Sequence, residues 1–204
     1  MSLRATIVRQ FKRPHGLPGR MAGLIMANRP SNRQRNEWTV GLLALEPGYR
    51  VLEIGCGPGL ALKACAATLS DGYTLGIDHS EVMVAQARRR LSPEIKAGRA
   101  EVRPGSLADL GNEPATWDRV FSLNVVQFLS DPDEAFRAMG ACLADRGIVA
   151  TTYQPRSKNP TRENALDMAS RIEASMKRAG FGQIGKHELP LSPAPAICVT
   201  GMKA

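Results

Sequence analysis

Residues 50–60 read RVLEIGCGPGL: a short apolar run closed by Glu53, then Gly55, Gly57 and Gly59 in alternation. An extended segment that turns through alternating glycines predicts a strand, a tight turn and a helix, because glycine reaches backbone conformations closed to other residues. From residue 49 onward the alternation repeats, with strands expected at 49–54, 73–78, 99–103, 118–123, 147–153, 182–189 and 197–202. They are short, mostly apolar and bounded by Gly, Pro or Asp, as strands covered on both faces are. The intervening helices have readable ends. Ser80 is placed to cap 81–91, and Asp131-Pro132-Asp133-Glu134 supplies an N-cap, a first-turn proline and a capping-box glutamate before 135–144. Thr161 is placed to cap a helix whose Ala165, Ala169, Ile172 and Met176 share one face, and Gly180 ends it. The pattern predicts an α/β, doubly wound, Rossmann-like sheet, mostly parallel, with helices on both sides.

The first 47 residues differ. Leu3, Ile7 and Phe11 fall at helical spacing among Arg4, Arg9, Lys12 and Arg13, a link HGLPG at 15–19 follows, and a second apolar stretch spans 21–27. After a break at 28–31, Ser31 is placed to cap a helix running to Leu45. Residues 1–47 therefore read as an N-terminal helical cap or lid, not an independent domain, ahead of one domain at 48–204. Eight of the 27 cations precede the first acid, Glu37, and the other 19 balance the 19 acids, so the whole net charge of +8 lies on residues 1–36 of this arm. Such an arm can be a solvated helix and linker, a lid forming part of a pocket, or a docking surface for anionic lipid or nucleic acid. Phe11 and Trp38 are its only aromatics, too few for a base-stacking platform, so transient contact with an anionic membrane ranks above nucleic acid. No stretch reaches the roughly 18 apolar residues of a membrane span, and the amino terminus lacks the apolar core of a secretory signal. A cytoplasmic location is expected. Cys56, Cys65, Cys142 and Cys198 are too scattered for a zinc site and form no CxxC pair, so buried reduced thiols and no metal are expected.

Asp78 ends the second expected strand, 19 residues after Gly59, where an acid can accept both hydroxyls of a ribose. A dinucleotide fingerprint, GxGxxG, would need a glycine where Leu60 stands. Glu53 places a carboxylate just before the turn, unwelcome beside a pyrophosphate and suited to a cation. In these features the chain resembles the class I S-adenosylmethionine-dependent methyltransferases. LEIGCGPG is similar to that family's first motif, LGIDHSEVMVAQA to its second, and WDRVFSLNVVQFLSDPDEAFRAMGACLADRGIVATTY to the stretch from the fourth strand to the fifth. The resemblance covers 48–204 and implies a seven-stranded sheet whose last strand is antiparallel. It also implies S-adenosylmethionine as cofactor, with S-adenosylhomocysteine as product. The loop of Gly55, Cys56, Gly57 and Gly59 would pass under the methionine part, with Glu53 near its ammonium. Asp78 would take the ribose hydroxyls, and His79 and Met83 would flank the adenine. Ser106 and Leu107 would face the adenine edge; many members carry an acid near Ser106, so its hydroxyl or Asp109 must substitute. Asn124 and Val125 would line the cavity near the reactive methyl.

Methyl transfer from a sulfonium is an in-line displacement at an already activated carbon. Holding the nucleophile at the methyl supplies up to ~7–11 kcal/mol, against ~3–5 kcal/mol from a general base, so a dedicated base is optional and no catalytic residue is assigned. Acceptor-side candidates are His15 in the cap and Gln127 and Tyr153 at the strand ends. Asn124 leads into Val-Val-Gln-Phe rather than the Asn-Pro-Pro-Tyr type of motif of amino-group nucleic-acid methyltransferases, which argues against nucleobase amino groups as acceptors. The expected activity is methylation of an O, N or C atom of a small molecule, lipid-like or anionic. The alternatives are an NAD(P)-linked oxidoreductase and a non-catalytic S-adenosylmethionine-binding protein. Oligomeric state is not legible.

Overall fold

The computed structural model describes residues 30–112 and 116–203. A helix, α1 (Pro30–Leu42), precedes β1 (Arg50–Ile54), α2 (Leu60–Thr68), β2 (Tyr73–Asp78), α3 (Glu81–Arg90), the short α4 (Ser92–Lys96) and β3 (Ala100–Pro104). Then come β4 (Trp117–Leu123), α5 (Pro132–Cys142), β5 (Leu143–Tyr153), α6 (Arg162–Arg178), β6 (Phe181–Leu189) and β7 (Ala196–Lys203). Single 3-10 turns, Leu107–Asn112 and Val126–Phe128, flank β4. The seven strands form one sheet in the order β3-β2-β1-β4-β5-β7-β6. β1 to β5 are parallel, and β7 runs antiparallel to both β5 and β6, as expected of the last strand. The order reverses between β1 and β4, and ligands of open α/β sheets bind at the carboxyl ends of the strands beside such a reversal.

Alternation along β1 distributes the core, because successive strand residues face opposite sides. Leu52 and Ile54 join Phe136, Met139 and Ile172 under α5 and α6. Val51 joins Ala61, Cys65, Phe121, Val40 and Leu43 under α1 and α2. A third cluster, Leu62, Val84, Ala87, Leu91 and Val102, seats α2 on α3 and β3. All four cysteines are buried and unpaired. Among the described residues no helix is long and apolar enough to cross a membrane.

Several expected boundaries move. α1 begins at Pro30, so Ser31 lies inside the first turn instead of capping it; proline suits that position because its missing N–H would be unbonded there anyway. α1 stops at Leu42, short of Leu45, where Ala44 turns the chain at φ 45° and Arg119 Nε donates to the Leu43 carbonyl at 2.6 Å. β5 begins at Leu143, directly after α5 and ahead of the expected Gly147, because Leu143 pairs with Trp117 before a bulge in β4. Thr161 caps α6 as expected, in a reciprocal box with Asn164. The expected segment of Leu3, Ile7 and Phe11, the apolar stretch 21–27 and His15 lie outside the described residues.

Candidate functional site

The three glycines after β1 all have left-handed backbone, φ 68°, 52° and 78° at Gly55, Gly57 and Gly59, but they serve different ends. A Cβ on Gly55 would stand 2.5 Å from Val125 Cγ2, and one on Gly59 would stand 2.9 Å from both Ala87 and Leu91. Those two let elements close on each other. A Cβ on Gly57 would meet nothing within 4 Å, so there the main chain borders open space. The loop is tied to β2: the Gly55 and Cys56 amides both donate to the Ile77 carbonyl, at 2.8 and 3.0 Å. The Gly57 amide donates to Asp78 Oδ2 at 2.8 Å, and Asp78 Oδ1 accepts from the Ser80 amide at 2.8 Å. Ser80 sits at the N-cap of α3 but makes no side-chain cap bond, so the expected hydroxyl cap is replaced by Asp78 holding the N-cap amide. A carboxylate has about four lone-pair positions, and these two bonds leave room for two further donors at the loop.

Glu53 lies beneath the turn, 2% exposed, and its Oε2 has no hydrogen-bond partner. Burial, then the charge of Asp78, pushes its carboxyl well above the usual range, opposed by a bond from the Leu62 main chain. The Cys56 thiol is likewise pushed up, by burial first and then by Glu53 and Asp78. A buried acceptor without a partner is costly unless a donor or proton meets it. The carboxyl end of β1 thus gathers two acid side chains with acceptor capacity to spare, suited to a cationic ligand group and poorly suited to a pyrophosphate.

Around β2 and β3, His79 is exposed, with Nδ1 3.7 Å from Asp78 Oδ1, and Met83 is buried in the first turn of α3. Ser106 is exposed and Leu107 half-buried. The Ser106 amide and hydroxyl donate to Asp109 Oδ2 at 2.6 and 3.0 Å, and these bonds hold the Asp109 carboxyl below its usual range. Ser106 and Asp109 form one polar unit.

At the ends of β4 and β5 the polar side chains close the strands together. Asn124, at φ 53°, donates its amide to the Thr152 carbonyl at 2.8 Å, while its Oδ1 accepts from the Gln154 amide at 2.8 Å. Gln127 is exposed and donates Nε2 to the Asn124 carbonyl at 2.7 Å. Tyr153 is half-buried, and burial pushes its phenol up, so at neutral pH it is a donor. Asn124, Val125 and Gln127 therefore stand with the glycine loop on one rim, linked through Gly55 against Val125. Surface depressions of about 310 Å³ (Glu37, Val40, Gly41, Leu45, Ala64, Thr68) and 470 Å³ (Glu81, Val84, Ala85, Arg88, Pro104) include none of these residues.

Sequence reasoning missed the inward face of α1. Asn32, Arg35, Asn36 and Thr39 are all buried. Arg35 Nη1 donates to Gln154 Oε1 at 2.5 Å and Nη2 donates to Asn32 Oδ1. Gln154 Nε2 donates to the Ala194 carbonyl at 3.0 Å, and the Thr39 and Thr152 hydroxyls pair at 2.8 Å. The signal was present as four polar residues at i, i+3, i+4 and i+7, the spacing that normally carries an apolar stripe.

Residues 52–149 match a family model described as a methyltransferase domain. An uncharacterised methyltransferase of Bacillus subtilis, YdaC, is 29% identical over 183 residues, 90% of this chain and 98% of that protein. The 24-methylenesterol C-methyltransferase 2 of Oryza sativa is 26% identical over 195 residues, and the chain spans about half its length, 52%. A solved S-adenosylmethionine-dependent methyltransferase from Aquifex aeolicus shares the fold with a TM-score of 0.70 at 20% identity, covering 87% of this chain and 95% of that one.

Proposed function

Since the chain belongs to the class I S-adenosylmethionine-dependent methyltransferases, we propose that it methylates an O, N or C atom of a small molecule. The likeness to a sterol methyltransferase supports a small acceptor, as does the absence of an Asn-Pro-Pro-Tyr type of motif after β4. The observation that carries the site is the unpartnered Glu53 Oε2, buried behind a glycine loop whose Gly57 borders open space. The oxidoreductase alternative falls with the family, and Leu60 begins α2 where a dinucleotide fingerprint needs its third glycine.

S-adenosylmethionine supplies, when bound, an electrophilic methyl carbon on a sulfonium. Gly55, Cys56, Gly57 and Gly59 form the bed for its methionine part, and Glu53 meets its ammonium directly or through a water. Asp78 uses its remaining lone pairs for the ribose hydroxyls. His79 and Met83 flank the adenine, and Ser106 with Asp109 and Leu107 faces its edge. Asn124 and Val125 line the methyl, with Gln127 and Tyr153 on the acceptor side. These residues hold and orient, which accounts for up to ~7–11 kcal/mol of the barrier, and no proton-removing residue is required of them.

Thermal unfolding with S-adenosylhomocysteine, and separately with NAD and NADP, tests the reading. At a hundred times its dissociation constant a ligand adds ~2.7 kcal/mol, a rise of roughly 5–11 °C for a chain of this size. A rise with S-adenosylhomocysteine alone is expected; a rise only with NAD or NADP would overturn the site. Transfer of labelled methyl to a small-molecule panel separates an enzyme from a non-catalytic binder.

A further inference from the structure

Arg35 is anomalous. Its side chain is 3% exposed, yet among the described residues its partners are two neutral amide oxygens, those of Gln154 and Asn32, and its Nε has none. No carboxylate pairs with it among the described residues, and the sequence has no Asp or Glu before Glu37 from which the arm could supply one. A second cation, Arg156, exposed and two residues beyond Gln154, adds a like charge to the surroundings of Arg35. Burying a guanidinium is costly unless an opposite charge meets it, and a like charge beside it adds to that cost. Burial, then Arg156, lowers its pKa to about 9, which still leaves it charged at neutral pH.

The group is rigidly held. Gln154 is anchored at its amide by Asn124 Oδ1 and at its side chain by the Ala194 carbonyl, and Thr39 bonds Thr152 one turn further along α1. Through Gln154 and Asn124 it belongs to the rim where Val125 closes on Gly55. A preorganised, planar donor whose Nε is unpartnered, beside that rim, fits an oxyanion.

We propose that Arg35, with Arg156 beside it, is the anion-binding group of the acceptor site, and that the molecule methylated carries a carboxylate or a phosphate. The proposal rests on the methyltransferase reading and names the acceptor's chemical class. Arg156, exposed, meets the incoming anion, and Arg35 holds it where the strand ends meet. Asn32 and Gln154 act as positioning residues by fixing the guanidinium plane.

The test titrates citrate and inorganic phosphate, at constant ionic strength set with chloride, into the full chain with and without saturating S-adenosylhomocysteine, following the unfolding midpoint. At least one anion is expected to raise the midpoint saturably; citrate alone would mark a carboxylate acceptor and phosphate alone a phosphate. Arg35→Met and Arg35→Lys are expected to weaken that anion about tenfold or more, the loss of a charge-assisted hydrogen bond, while S-adenosylhomocysteine binds as before. Arg156→Gln, at an exposed position, is expected to weaken it several-fold with the fold intact, and so decides the matter if Arg35→Met does not fold. The proposal is overturned if neither anion acts beyond chloride, or if the variants bind it as the wild type does. Loss of S-adenosylhomocysteine binding in the wild type would instead sink the cofactor reading, which the cofactor-free titration keeps separate.

Discussion

The Gly57 amide and Asp78 Oδ2 are joined by a 2.8 Å hydrogen bond that locks the turn after β1 to the end of β2. The other oxygen of the same carboxylate holds the N-cap amide of α3, so one buried side chain sets the positions of a loop and a helix. A residue read from spacing as a ribose ligand is also the structural pin of its own site.

Asp78→Ala therefore has two effects. Two charge-assisted bonds to main-chain donors are lost, which lowers stability by about 2–4 kcal/mol after partial rehydration of the amides. S-adenosylhomocysteine affinity falls at least tenfold. Asp78→Asn keeps one acceptor and should recover part of the stability and little of the affinity. Urea unfolding and calorimetric titration measure the pair; an Asn variant that binds as the wild type does would show that the carboxylate is only structural.

Glu53 titrates higher in the folded chain than in the unfolded one, because burial and Asp78 disfavour its charge. The folded state thus holds a proton that the unfolded state has released, so this contribution is whole below the ordinary value of about 4.3 and is lost as pH rises toward the folded value. Glu53→Gln should flatten the decline in stability of the ligand-free protein as pH rises above the ordinary carboxylate range. It should also weaken S-adenosylhomocysteine about tenfold by removing the partner proposed for the ammonium. An unchanged slope in urea midpoints against pH would refute the assignment.

Asp133 and Glu173 have the opposite sign. Hydrogen bonds, from Arg178 and Ser175 to Asp133 and from Lys177 and Lys186 to Glu173, hold both carboxyls down to about 2. Their contribution is present above the ordinary carboxylate range and lost as pH falls toward 2. Both carboxylates are half-buried at the surface and pair with exposed cations, so Asp133→Asn should shorten the acid limb slightly and leave midpoints above about pH 5 unmoved.

The loop glycines should separate packing from ligand contact. Gly55→Ala must move Val125 and Gly59→Ala must move Ala87 and Leu91, so each should cost more than the ~1–2 kcal/mol of placing alanine in the left-handed region. Gly57→Ala meets open space and should cost only that conformational amount, yet it should reduce S-adenosylhomocysteine binding most for its loss of stability. Equal ratios of binding loss to stability loss across the three would contradict the assignment of Gly57.

The alternation of strands and helices, the glycine turn and the end of β2 at Asp78 were legible because the signals there are local: apolar runs, glycines and caps all depend on near neighbours in the chain. Tyr73–Asp78 carries that signal whole, and the Thr161 box needs only residues three apart. What escaped was long-range. The start of β5 depends on Leu143 meeting Trp117, and the cap of α3 on a carboxylate already committed to another loop. The face of α1 was invisible because its burial is shared with Gln154, 119 residues from Arg35, and polar residues in a helix ordinarily mark its solvent side.

The most direct test is a crystal structure with S-adenosylhomocysteine bound. The account predicts its ribose hydroxyls on Asp78, its main body against Gly57, and Glu53 reaching the ammonium directly or through one water. A ligand seated elsewhere on the sheet, or one in that cleft with Glu53 Oε2 still unpartnered, would contradict it.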